Sequence, residues 1–157
     1  MGWWSIRIIL CGGVGNILMS ILESAYAEIL AGFRNWPHMH EQSRFANFQL
    51  AYSLIGKPFS EALTQLERAP QDLSIFEGEV FVSLTLKNRK YLLFRNSANT
   101  LTGLDCTCEL SWRRKAKGDA SLLCVHELLY ELSRHVFREV AVEEEVNELS
   151  ELLHRNR

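Results

Sequence analysis

The chain predicts an α+β fold: two short helices, a three-stranded antiparallel sheet and a long C-terminal amphipathic helix, preceded by an N-terminal helical or signal-like segment. Three observations predict it. The apolar period changes from helical to alternating at Glu79. Pro37, Pro58 and Pro70, with Gly56, cut the first half into short helical pieces. No Gly or Pro follows Gly118, and an amphipathic pattern runs from there toward the carboxyl end. At 157 residues, 47% hydrophobic and 23% charged, the chain is long enough for one core and short for two full domains. The organisation expected is residues 1–36 as an N-terminal amphipathic helix or signal/anchor segment, 41–139 as the α+β domain, and 140–157 as an acidic helical tail.

In the opening segment an apolar run, Ile6 to Cys11, meets Gly12, Gly13 and Gly15 before Ile17, Leu18, Ile21, Leu22, Ala25, Tyr26, Ile29, Leu30 and Phe33 recur at helical spacing. A dinucleotide fold would need a second strand with an acidic residue about 20 residues on, and none follows. Ala25-Tyr26-Ala27 supplies the small-x-small element of an export site, but Arg7, the glycines and Glu23 interrupt the apolar stretch that a signal or a membrane span requires. The expectation is therefore divided between a helix packed on the body and a segment giving peripheral membrane association.

Beyond Pro37, Phe45, Phe48, Leu50, Tyr52, Leu54 and Ile55 describe a helix from Glu41 to Ile55. Ser60 caps a second, which Pro70 ends. Val80, Val82, Leu84 and Leu86 then share one face of a strand. Lys87-Asn88-Arg89-Lys90 turns it, and Tyr91 to Arg95 returns. A third strand alternates Leu104, Cys106, Cys108, Leu110 and Trp112 with polar residues. Leu122, Val125, Leu129, Leu132 and Val136 predict a helix from Ala120 to about Glu139. In the tail, Val142, Val146, Leu149 and Leu153 fall on one narrow helical stripe among five glutamates, a pattern expected to bind a protein partner or a second copy of the chain.

The chemistry-bearing residues are few. A net charge of -2 leaves no global basic field, so no nucleic-acid partner is expected despite Arg113-Arg114-Lys115 and Lys117. Cys106-Thr107-Cys108, Cys124-Val125-His126 and His38-Met39-His40 contain the residue types that ligate zinc. Cys106 and Cys108 share a strand face, but on a helix starting at Ala120 residues two apart diverge by about 200°, which would separate Cys124 from His126. The expectation is therefore no metal and no cofactor, with the cysteines as structural thiols or a disulfide. A thiol nucleophile, Cys124 or Cys106 with His126 or His135 as base and Glu127 or Glu131 as orienter, has no motif to fix it, so no catalytic residue and no enzyme is expected.

The stretch from Leu54 through Gly56, Pro58, Glu61 and Leu66 to Pro70, followed by a strand hairpin, resembles the turn and second helix of small bacterial envelope lipoproteins related to BamE (SmpA/OmlA), over about residues 42–118. The resemblance implies two helices before a three-stranded antiparallel sheet and a disulfide joining Cys124 to Cys106 or Cys108. It also implies a non-catalytic protein-interaction module serving envelope assembly, in the periplasm or at a membrane. The alternative is a cytoplasmic, dimeric secretion-chaperone-like adaptor that binds a client protein.

Overall fold

The computed structural model describes residues 21–109, 111, 123–138 and 140–144, and the fold is α+β, with four helices and a five-stranded mixed sheet. Helix α1 spans residues 21–34. Its side chains Tyr26, Ile29, Leu30 and Phe33, three or four residues apart, are all at most 3% exposed, so one stripe of this helix belongs to the core. The Tyr26 hydroxyl donates to the Leu54 carbonyl at 3.2 Å, and a Cβ on Gly32 would lie 2.6 Å from Asn47 Oδ1. The missing side chain lets α1 approach its neighbour closely.

That neighbour, α2 (Glu41–Leu54), buries only Ala51 and leaves Phe45 and Tyr52 largely exposed. Gly56, at φ 75°, makes the left-handed bend into α3 (Lys57–Arg68), whose start Pro58 favours by fixing φ. Phe59, Ala62, Leu63 and Leu66 form the buried face of α3. Phe59 anchors an aromatic cluster, its ring centroid 5.9 Å from Phe33, 5.4 Å from Phe48 and 4.9 Å from Tyr52.

The sheet has the order β4-β3-β2-β1-β5. Strands β1 (Leu73–Glu77), β2 (Phe81–Leu86), β3 (Arg89–Arg95) and β4 (Leu104–Cys106) are antiparallel neighbours, and β5 (Ala141–Glu144) lies parallel to β1. Lys87 and Asn88, with φ 49° and 66°, make the two-residue turn whose twist matches the β2–β3 hairpin. Leu73, Ile75, Val82, Leu84, Leu93, Leu104 and Cys106 point to one face and are buried. Helix α4 (Val125–His135) closes the core with Leu128, Leu129 and Leu132. Two ionic contacts fix its position. Arg34 of α1 forks onto the buried Glu131 carboxylate at 2.8 and 3.3 Å, and Arg134 with the Tyr130 hydroxyl engages Glu77 of β1. The opposite sheet face carries Phe76, Phe81 and Phe94 in a row, with successive ring centroids 6.3 Å apart.

Several expectations are corrected. The three-stranded antiparallel sheet is a five-stranded mixed one, because Leu73–Glu77 and Ala141–Glu144 also pair. The third strand stops at Cys106, and the C-terminal helix is confined to Val125–His135. Val142 is not on a helical tail stripe: it sits in β5 opposite Ile75, packed against the core. Val146, Leu149 and Leu153 lie outside the described residues, as do residues 1–20 of the opening segment. Residues 21–34 contribute to the core, and β5 joins the sheet. No helix among the described residues is long and apolar enough to cross a membrane.

Candidate metal centre

Strand β4 ends by aiming Cys106 inward, and Cys108 follows two residues later. Across the core face, Cys124 is the N-cap of α4, with φ -90° and ψ 167°, so it stands in extended backbone before the helix begins. His126 is the second residue of that helix. The expected 200° divergence of Cys124 and His126 therefore does not arise, since only one of them is helical. The ligand atoms of Cys106, Cys108, Cys124 and His126 all lie within 4.8 Å of one another.

The cap is held by its own sequence. Cys124 N–H donates to the Glu127 carboxylate at 3.1 Å, and Glu127 N–H donates back to Cys124 Sγ at 3.4 Å, a capping box in which sulfur replaces the usual hydroxyl. Each of the other sulfurs also faces a backbone donor. Cys108 N–H points to Cys106 Sγ at 3.5 Å and Ser111 N–H to Cys108 Sγ at 3.4 Å. Three sulfurs thus have three main-chain N–H donors, an environment that stabilises thiolates.

His126 Nδ1 lies 3.5 Å from Cys106 Sγ, and Tyr91 stacks on the ring with centroids 3.8 Å apart. Nδ1 therefore faces the sulfurs, while Tyr91 restricts rotation of the imidazole. Four donors around one tetrahedral zinc, at ~2.3 Å for sulfur and ~2.0 Å for nitrogen, stand about 3.5–3.8 Å apart. The Cys106 Sγ–His126 Nδ1 separation of 3.5 Å matches that spacing, and the whole set, within 4.8 Å, would draw in slightly around an ion.

The thiols also divide their protons unequally. Hydrogen bonds from the Cys106 and Cys124 thiols hold Cys108 well below the ordinary thiol range. Donation to Cys108 pushes Cys106 up to about 12, and bonds to Cys106 and Cys108 raise Cys124 as well. A dication that recruits all three sulfurs must displace the protons they carry.

All three cysteines are free thiols, and the metal reading competes with the implied disulfide for the same atoms. His38 and His40 lie near the start of α2 and are not part of the cluster. His135, the alternative base, contacts Glu131 at 3.7 Å rather than any of these thiols, and Glu127 is engaged by the Cys124 cap. Of the nucleophile constellation, Cys106 and His126 meet at 3.5 Å and Cys124 meets Glu127, whereas His135 and Glu131 pair away from the thiols. The sequence signal for the centre was Glu127 three residues after Cys124, which starts the helix at Val125.

Replacing Tyr91 with Ala should leave the fold intact and weaken metal binding by roughly 10–100-fold, the usual effect of losing a group that orients a ligand. Competition with a chromogenic chelator reads this. An unchanged affinity would show that the stacked ring does not position His126.

No family model, curated protein or solved structure matches this chain.

Proposed function

We propose that the chain is a non-catalytic protein-interaction module built around one structural zinc ion, held by Cys106, Cys108, Cys124 and His126. The observation that carries the reading is the convergence of three sulfurs and one imidazole nitrogen within 4.8 Å. Three sulfurs and one nitrogen suit zinc in a tetrahedral site, and four protein ligands leave no open position for a reacting water. The ion would tie β4, which has only three paired positions in the sheet, to the start of α4. This would be a structural role: the metal would link the end of β4 to the start of α4 in addition to the core contacts they already make.

The interaction half of the reading is supported by the sheet face that the described helices leave open. Phe76, Phe81, Leu92 and Phe94 form an apolar patch there, and Phe94 is 43% exposed. A protein partner or a second copy of the chain is its expected occupant. A zinc held by three thiolates requires reduced cysteines, a condition a reducing compartment maintains, and on that ground we favour the cytoplasmic adaptor over the envelope factor. The test combines elemental analysis of the purified chain with sedimentation of the wild type and Phe94→Ser. The reading expects one zinc per chain, and association that weakens in the variant while zinc content stays the same. A metal-free, folded protein would remove the zinc half. Association unchanged by Phe94→Ser would remove the sheet-face half.

A further inference from the structure

We propose that the metal centre is peroxide-sensitive, with Cys108 as the point of attack and expulsion of the ion as the outcome. The inference rests on the zinc reading and adds its regulation. Among the cysteine ligands, Cys106 and Cys124 are 2% and 1% exposed, whereas Cys108 is only half-buried, so a small water-soluble oxidant meets Cys108 first. Cys108 also lies past the end of β4, outside the ladder that fixes Cys106. Its sulfur has two further sulfurs within 4.8 Å, so a second thiolate stands ready without any refolding.

The chemistry balances with a peroxide as the named oxidant. The Cys108 thiolate attacks one peroxide oxygen, the O–O bond breaks, and a sulfenic acid forms as hydroxide leaves. A neighbouring thiolate, Cys106 or Cys124, then attacks the sulfenic sulfur. An S–S bond forms and a second hydroxide leaves. Two thiolates have given up two electrons, and the peroxide has become two hydroxides. One cysteine and His126 remain, too few to retain zinc. A dithiol reductant reverses the bond and restores the site.

The experiment uses the full chain loaded with zinc under reducing conditions and then freed of reductant. Hydrogen peroxide is added while a chromogenic chelator reports released zinc. Peptide mass mapping locates the disulfide, and a dimedone trap marks the first sulfenic acid. The expected result is zinc release in step with thiol loss, a dimedone adduct on Cys108, a disulfide that includes Cys108, and zinc uptake restored by dithiothreitol. Zinc retained through peroxide treatment would overturn this inference and leave the zinc reading standing, as would a first adduct on Cys106 or Cys124. A chain that never takes up zinc would instead overturn the reading on which it rests.

Discussion

Replacing Cys124 with Ser should abolish stoichiometric zinc binding and lower the thermal midpoint by roughly 10 °C or more. Cys124 is both a proposed zinc ligand and the N-cap of α4, and it is 1% exposed. Structural zinc sites contribute about 10–16 kcal/mol of apparent binding energy in small zinc-binding peptides. In a chain with a core of its own, only part of that appears as stability. A loss of about 4 kcal/mol, at roughly 2–4 °C per kcal/mol for a chain near this size, gives that shift. Serine offers a capping oxygen in place of the sulfur, so the effect isolates the metal from the cap. Calorimetry in excess zinc, and again with a chelator, checks it: the variant should match the chelated wild type. A variant as stable as the zinc-loaded wild type would mean that the ion does not hold the fold.

The second large effect concerns the amino-terminal helix. Phe33→Ala should cost about 3–5 kcal/mol, the range for removing a buried aromatic ring. Phe33 is 0% exposed and stacks on Phe59, with ring planes 10° apart, while meeting Phe48 edge-on at 6.0 Å. The same contacts predict that removing residues 1–34 exposes the aromatic cluster and abolishes cooperative folding. Denaturant titration of Phe33→Ala and soluble expression of the truncation are the measurements. A truncated protein with an unchanged unfolding transition would show that α1 is dispensable to the core and would revive its reading as a detachable signal or anchor.

What the sequence made legible follows from the range over which each element is determined. The β2–β3 hairpin could be read because alternation from Phe81 to Leu86 and the polar turn at Lys87-Asn88 are local signals. The stripe of α1 was visible too, since Tyr26, Ile29, Leu30 and Phe33 repeat at helical spacing, although where it would pack was not. Strand β5 was not legible. Ala141-Val142-Glu143-Glu144 is acidic and short, with poor strand propensity, and its conformation comes from pairing with β1 across more than 60 residues of chain. Strand β1 was missed for a related reason, as five residues between a 3₁₀ turn and a loop show little periodicity.

The proposed metal centre depends on one helix boundary. The four residue types are visible in the sequence, but a helix drawn from Ala120 puts Cys124 and His126 on opposite sides. The helix begins at Val125, and that shift of five residues moves Cys124 into extended backbone. Helix boundaries are weakly encoded by apolar period alone, whereas the Glu127 side chain returning to Cys124 N–H sets this one. The chemistry of the site thus depends on a cap.

X-ray absorption at the zinc edge, on the full chain loaded with one equivalent of zinc, tests the central claim most directly. A closed site predicts a first shell of three sulfurs at ~2.3 Å and one nitrogen at ~2.0 Å, with imidazole scattering beyond it and no water oxygen. His126→Ala should replace that nitrogen with an oxygen while the three sulfurs remain. A wild-type spectrum with oxygen in the first shell, fewer than three sulfurs, or no change on loss of His126 would contradict the closed site assigned to these four residues.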